Sequence, residues 1–112
     1  GYEFGIIDPQ HSDIAAGRRF EYGGPSPVNN GFFDLCKQLG STKTMLVGHD
    51  HVNDYYVEYE GIKLAYAVKS GFGSYWQPDM IGGTTLTVNS TGNVDLEQHY
   101  YDLAANGWDI EP

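Results

Sequence analysis

Two histidines two positions apart, His49 and His51, are the residues of this chain whose type and spacing most directly suggest chemistry. They follow an apolar run, Met45-Leu46-Val47, and a glycine, Gly48, and they lead into Val52-Asn53-Asp54. Neutral imidazole is the commonest metal-ligating side chain. In an extended segment the i and i+2 rings point the same way, whereas in a loop they can diverge towards two ions. Gly48 lets the backbone bend sharply and come close to a ligand. Strand ends that open into loops are where α/β-type folds place their sites. A His-x-His pair alone is a weak signal, because paired histidines at strand ends also serve structure. The longer string, apolar strand, Gly-His-Asp-His, small apolar residue, Asn-Asp, is more specific.

The elements that must position this string can be read around it. Asn29 or Asn30 can cap a helix by accepting its free first-turn amides. Phe32, Leu35, Cys36 and Leu39 then follow the i, i+3, i+4, i+7 pattern of one buried face, with Cys36 expected in the core. Gly40 can end that helix in the left-handed conformation, and Met45–Val47 reads as a buried strand. Beyond the histidines the period falls to two. Tyr55, Val57 and Tyr59 share one strand face, Glu60-Gly61 is a tight turn, and Ile62, Leu64, Tyr66 and Val68 share a face of the returning strand. Ser70-Gly71-Phe72-Gly73-Ser74-Tyr75-Trp76 is a glycine-rich loop with exposed aromatics. Thr84–Val88 and Val94 to Tyr100 read as two more strands about a turn at Thr91-Gly92-Asn93. The expectation is an α+β arrangement: one main helix followed by a mostly antiparallel set of about five strands. Residues 1–28 read as an irregular loop, 29–101 as the helix and strands carrying the Gly-His-Asp-His motif, and 102–112 as an acidic tail.

Composition narrows the function. At 112 residues the chain has the size of one domain or part of one. Forty per cent of it is apolar, enough for a core, and fifteen glycines and five prolines imply many turns. The net charge of -9 disfavours nucleic acid, whose binding needs Lys and Arg to replace phosphate counterions. It leaves room for a phosphorylated substrate, since a bound metal supplies local positive charge. The single cysteine, Cys36, rules out an intrachain disulfide. No run approaches the roughly 18 apolar residues of a membrane helix. The compartment is not legible. Asn89-Ser90-Thr91 is a glycosylation sequon only if the protein is secreted from a eukaryotic cell.

The segment from Val47 to Asp54 resembles the last conserved motif, Gly-His-x-His, of calcineurin-like metallophosphoesterases, and most closely the branch similar to purple acid phosphatases. Asn29-Asn30-Gly31-Phe32-Phe33 resembles the helix start before that motif. Tyr59–Leu64 and Lys69–Tyr75 resemble the hairpin and glycine-rich loop after it, so the likeness covers roughly residues 28–90. It implies the C-terminal half of an α/β/β/α sandwich with a two-metal centre at the strand ends. His49 would bind one ion and His51 the other. Asp50, Asn53 and Asp54 would stand behind them as orienting partners. Gly71, Gly73 and Tyr75 would border the substrate pocket. The implied cofactors are two ions drawn from Fe, Mn or Zn. The implied reaction is hydrolysis of a phosphomonoester or phosphodiester, by a bridging hydroxide between ions about 3.5–4 Å apart.

The chain also departs from that pattern. The upstream Asp-x-His, Gly-Asp and Gly-Asn-His motifs are absent. Asp8-Pro9-Gln10-His11 has the spacing Asp-x-x-His, and His11 and His99 read as ordinary histidines. Arg18 and Arg19 read as solvated or ion-paired loop residues. The expectation is a fragment that is inactive alone and binds no metal, or only part of a metal pair. Its missing partner would be the N-terminal half of the fold, and exposed apolar surface could also drive self-association. The competing reading is a non-catalytic, β-rich binding module in which Tyr55, Tyr56, Tyr75 and Trp76 form a platform for sugar or peptide while the histidines are structural.

Overall fold

The structure, a computed structural model, describes residues 14–112; the motif-like Asp8 to His11 lies outside the described residues. Among the described residues six strands and one helix follow in order: β1 (Ile14–Ala16), α1 (Phe32–Leu39), β2 (Thr44–Val47), β3 (Tyr56–Tyr59), β4 (Ile62–Tyr66), β5 (Gly82–Val88) and β6 (Val94–Tyr100). The result is mixed α+β. One sheet runs β1-β3-β4-β2 and a separate two-stranded sheet is formed by β5 and β6. All pairings are antiparallel except β2 with β4.

The β3–β4 hairpin forms because its turn suits its sequence. Glu60 and Gly61 both take positive φ, at 49° and 83°. That conformation matches the right-handed twist of the flanking strands. The expected alternation follows: Tyr55, Val57, Ile62, Leu64 and Tyr66 are buried and form the main core with Phe33 of α1. Met45 and Val47 of β2 pack against the same cluster. Burying a side chain of this size contributes about 1.5–3 kcal/mol, so these residues carry much of the cohesion of the sheet.

Helix α1 differs from expectation. Asn30 Oδ1 accepts the Phe32 amide at 3.2 Å, and Gly40 ends the helix at φ 79° with its amide bonded to the Cys36 carbonyl. The apolar stripe, however, faces outwards. Phe32, Leu35 and Leu39 are 60%, 53% and 70% exposed, Cys36 is half-buried, and Phe33 alone in the helix is buried, its ring 5.2 Å from that of Tyr59. The sheet meets the helix at Phe33, and at 3.6 residues per turn the stripe is centred about a third of a turn away from that side chain. Among the described residues no helix is long and apolar enough to cross a membrane.

Two further segments are more ordered than their sequence suggests. Residues 14–20, expected within an irregular loop, pair with β3 and bridge to Asn53. At Gly17, with φ 99°, a Cβ would sit 2.5 Å from the Tyr55 Cα, so only glycine allows this approach. The tail is anchored as well: Leu103 and Ile110 pack on Trp76 and Ile81 in a second apolar cluster.

Candidate metal centre

The topology decides where the histidines sit. β2 and β3 flank β4 on opposite sides and do not pair with each other. Residues 48–55, which join them, therefore cross the C-terminal end of β4. Both ends of this crossing are pinned to successive amides: Ala67 donates to the Val47 carbonyl at 2.8 Å and Tyr66 to the Tyr55 carbonyl at 3.1 Å.

His49 leaves β2 with a left-handed backbone, φ 83°. For a residue with a side chain that conformation costs of order 1–3 kcal/mol and is kept only where the surroundings impose it. Its side chain is 86% exposed and points out of the protein, at the rim of a cleft of about 480 Å³ lined also by Gly23, Pro25, Gly48, Asp50 and Tyr66. Its Nδ1 lies 2.9 Å from Asp50 Oδ1. Asp50 itself is buried, and its other oxygen accepts from Asn53 Nδ2 at 3.2 Å. Beneath it the Tyr66 hydroxyl is held far above the ordinary tyrosine pKa, first by burial and then by its hydrogen bond to Asp50.

His51 is held differently. Its Nδ1 lies 2.7 Å from the Tyr75 carbonyl, and its ring stacks on the Tyr75 ring with centroids 4.0 Å apart and planes 14° apart. A carbonyl can only accept, and an ionised carboxylate can only accept. Each Nδ1 is therefore placed to donate, and the Nε2 atom of each ring points away from these partners. That is the usual state of a metal-ligating histidine, whose second nitrogen donates to a carboxylate or backbone carbonyl.

The remaining expected site residues divide. Asn53 reaches His49 through Asp50, but its amide mainly grips the segment before α1, accepting from Phe20 and Glu21 amides at 2.9 and 3.1 Å and donating to the Glu21 carbonyl at 3.0 Å. The Asp54 carboxylate turns away from the histidines to Arg18 and Tyr100. Tyr75 covers His51. At Gly71 and Gly73 an added Cβ would meet nothing within 4 Å, so neither is required by a close approach among the described residues. His99 stands on the exposed face of β6, away from the crossing. Two residues of the site escaped the sequence reading: Glu21, whose carboxylate accepts the Tyr75 hydroxyl at 2.6 Å, and Tyr66. Nothing local to Glu21 signals that contact, which spans more than fifty positions. The aromatic platform is corrected: Tyr55 and Trp76 are buried core residues, and Tyr56 lies under the Lys63 ammonium at 4.9 Å.

The two imidazoles fit a metal's donor chemistry one at a time. Among the described residues no group of three or more His, Cys, Asp or Glu side chains is arranged to hold an ion. No hydrolytic step is assigned to these residues alone.

Comparison with known proteins gives two partial likenesses. The chain is 45% identical over 51 residues to a protein of Arabidopsis thaliana named probable inactive purple acid phosphatase 14, covering 46% of this chain and 13% of that relative. It is 39% identical over 59 residues to one named probable inactive purple acid phosphatase 29 from the same plant, covering 53% and 15% respectively. The matched part of the chain thus spans about one-seventh of the length of these relatives. No protein-family model matches it, and no solved structure matches it.

Proposed function

We propose that the chain is part of a metallophosphoesterase of the purple acid phosphatase-like branch, to which it contributes His49 and His51 as ligands of two different ions. The observation that carries this reading is the pair of Nδ1 anchors, Asp50 for His49 and the Tyr75 carbonyl for His51, which leave both Nε2 atoms without a partner among the described residues, at one end of the sheet. The sequence likeness to proteins named as purple acid phosphatases supports the family. Bound ions of the Fe, Mn or Zn type would polarise a phosphoester and supply the attacking hydroxide. The chain's own part is narrower: it fixes two rings, their tautomers and their direction. The bridging carboxylates of a dinuclear pair would come from elsewhere in a longer protein, and the outward stripe of α1 is the surface such a remainder would cover.

The relatives are named as probably inactive, and the same condition is open to the parent of this chain. For the isolated chain the expected result is no turnover of a chromogenic phosphoester with Mn²⁺ or Zn²⁺ added. Equilibrium dialysis with Zn²⁺ tests the ligands directly. Uptake by the unaltered chain that falls in both His49→Ala and His51→Ala supports the reading. Equal uptake by all three proteins refutes it. The binding-module reading is left with one half-exposed ring, Tyr75, and that ring is covered on one face by His51.

A further inference from the structure

We infer that Tyr75 is a positioning residue for His51, clamping its imidazole by ring face and carbonyl together, and that Glu21 is the latch that holds Tyr75 in place. Its consequence for metal rests on the proposed reading of His51 as a ligand, while its geometry does not.

Four residues form a closed circuit. His51 Nδ1 donates to the Tyr75 carbonyl, and the two rings stack nearly parallel. The Tyr75 hydroxyl donates to Glu21 Oε1 at 2.6 Å. Glu21 Oε2 accepts from the amide of Val52 at 3.3 Å, the residue next to His51. The circuit thus returns to its starting point from the far end of the Tyr75 side chain. Glu21 is itself fixed, because the buried Asn53 amide grips its backbone on both sides. Just before Tyr75, Ser74 takes a left-handed φ of 61°. That turn presents the carbonyl and the ring of Tyr75 to the same imidazole, and such a conformation persists only where neighbours impose it.

Burial does not explain this order, since Tyr75 is about half exposed. A half-exposed tyrosine gains little from the apolar effect and is held by whatever grips its ends. Here the carbonyl end grips His51 and the hydroxyl end grips Glu21. The two histidines are therefore set by different means. His49 leans on a carboxylate, which raises ligand basicity. His51 leans on a neutral carbonyl and a ring, which fix direction with less effect on basicity.

The test is imidazole nitrogen NMR on the metal-free chain, in the unaltered protein, Tyr75→Ala, Tyr75→Phe and Glu21→Ala. The unaltered protein is expected to show His51 as the Nδ1–H tautomer. Tyr75→Ala keeps the carbonyl of residue 75 but loses the ring and the latch that hold that carbonyl against the imidazole, and is expected to release His51 into a mixture of tautomers while the His49 nitrogens stay put, which also shows that the fold is intact. Tyr75→Phe keeps the ring and loses the latch, as Glu21→Ala does, and both are expected to fall between. Zn²⁺ affinity should drop about tenfold to a hundredfold in Tyr75→Ala, the usual loss when a ligand's outer partner is removed. An unchanged His51 tautomer in Tyr75→Ala overturns the clamp, whatever the metal does. A clamp seen by NMR together with Zn²⁺ uptake that is unchanged in His51→Ala would keep the clamp and sink the ligand reading.

Discussion

Arg18 wraps the carboxylate of Asp54 from three directions: its backbone amide reaches Oδ1 at 2.6 Å, and Nε and Nη2 reach Oδ2 at 3.1 and 2.8 Å. Tyr100 adds a fourth donor at 2.5 Å and lies under the guanidinium, 5.1 Å from its carbon. The arginine's other nitrogen pairs with Asp79. One carboxylate thus joins the segment after β1, the crossing over β4 and the end of β6. Its neighbour in sequence, Asn53, joins the same crossing to the Glu21 latch.

Asp54→Ala should therefore be among the most damaging single changes. It leaves a guanidinium without its buried partner, and breaking such a pair costs about 3–5 kcal/mol. The Arg18 side chain is one-third exposed, so water recovers part of this and the lower end is expected. Urea unfolding followed by circular dichroism measures it; a loss under about 1 kcal/mol would mean that the network contributes little beyond surface pairing.

Gly17→Ala tests the close approach at β1. The new methyl would collide with the Tyr55 Cα and the Asp54 carbonyl at a backbone φ of 99°. Strain of this kind costs about 1–3 kcal/mol per residue. A matched Gly24→Ala, where a Cβ meets nothing within 4 Å, should cost less because only the backbone term remains. Comparing the two thermal midpoints separates collision from conformation.

His49→Gly should move stability and metal uptake in opposite directions. Glycine adopts φ 83° without penalty, so relief of strain favours the folded state by up to about 1 kcal/mol, less the greater freedom of the unfolded chain. The Nε2 donor is lost at the same time. A higher unfolding midpoint with lower Zn²⁺ uptake is the expected pair of results; a lower midpoint would show that the Asp50–His49 bond outweighs the strain.

Stability should fall at alkaline pH. Tyr66 and Tyr100 have folded pKa values raised above 10.0, in both cases chiefly by burial, and Tyr75 is raised chiefly by Glu21. A raised folded pKa gives stability that is complete below the unfolded value and is lost as pH rises through the folded one. Urea midpoints should thus hold up to about pH 10 as far as these phenols are concerned and decline above it. Phenolate absorbance should show a class of tyrosines that ionises together with unfolding.

The parts of the fold legible in the sequence were those set by neighbours in the chain. The Glu60-Gly61 turn, the alternation from Tyr55 to Tyr66, the β5–β6 hairpin and the Gly40 stop all follow from local rules. The outward stripe of α1 was not legible, because periodicity identifies an apolar face and not what lies opposite it. Nor were the roles of Asp54, Glu21 and Arg18, whose contacts join residues thirty to fifty positions apart. At the candidate centre, the sequence pointed to the histidines and to Asp50, Asn53 and Asp54 as their partners, of which Asp50 meets His49 directly. It did not reveal that Tyr75 faces the second ring.

The crossing over β4 also bears on the order of folding. The β3–β4 and β5–β6 hairpins close locally and can form within microseconds. The parallel ladder between β2 and β4 needs a longer loop to close first. Residues 48–55 have no fixed path until both sides of β4 are occupied. The imidazoles therefore acquire their final directions late, after most of the sheet exists, while the buried Asn53, Asp54 and Tyr55 that follow them are held within the core.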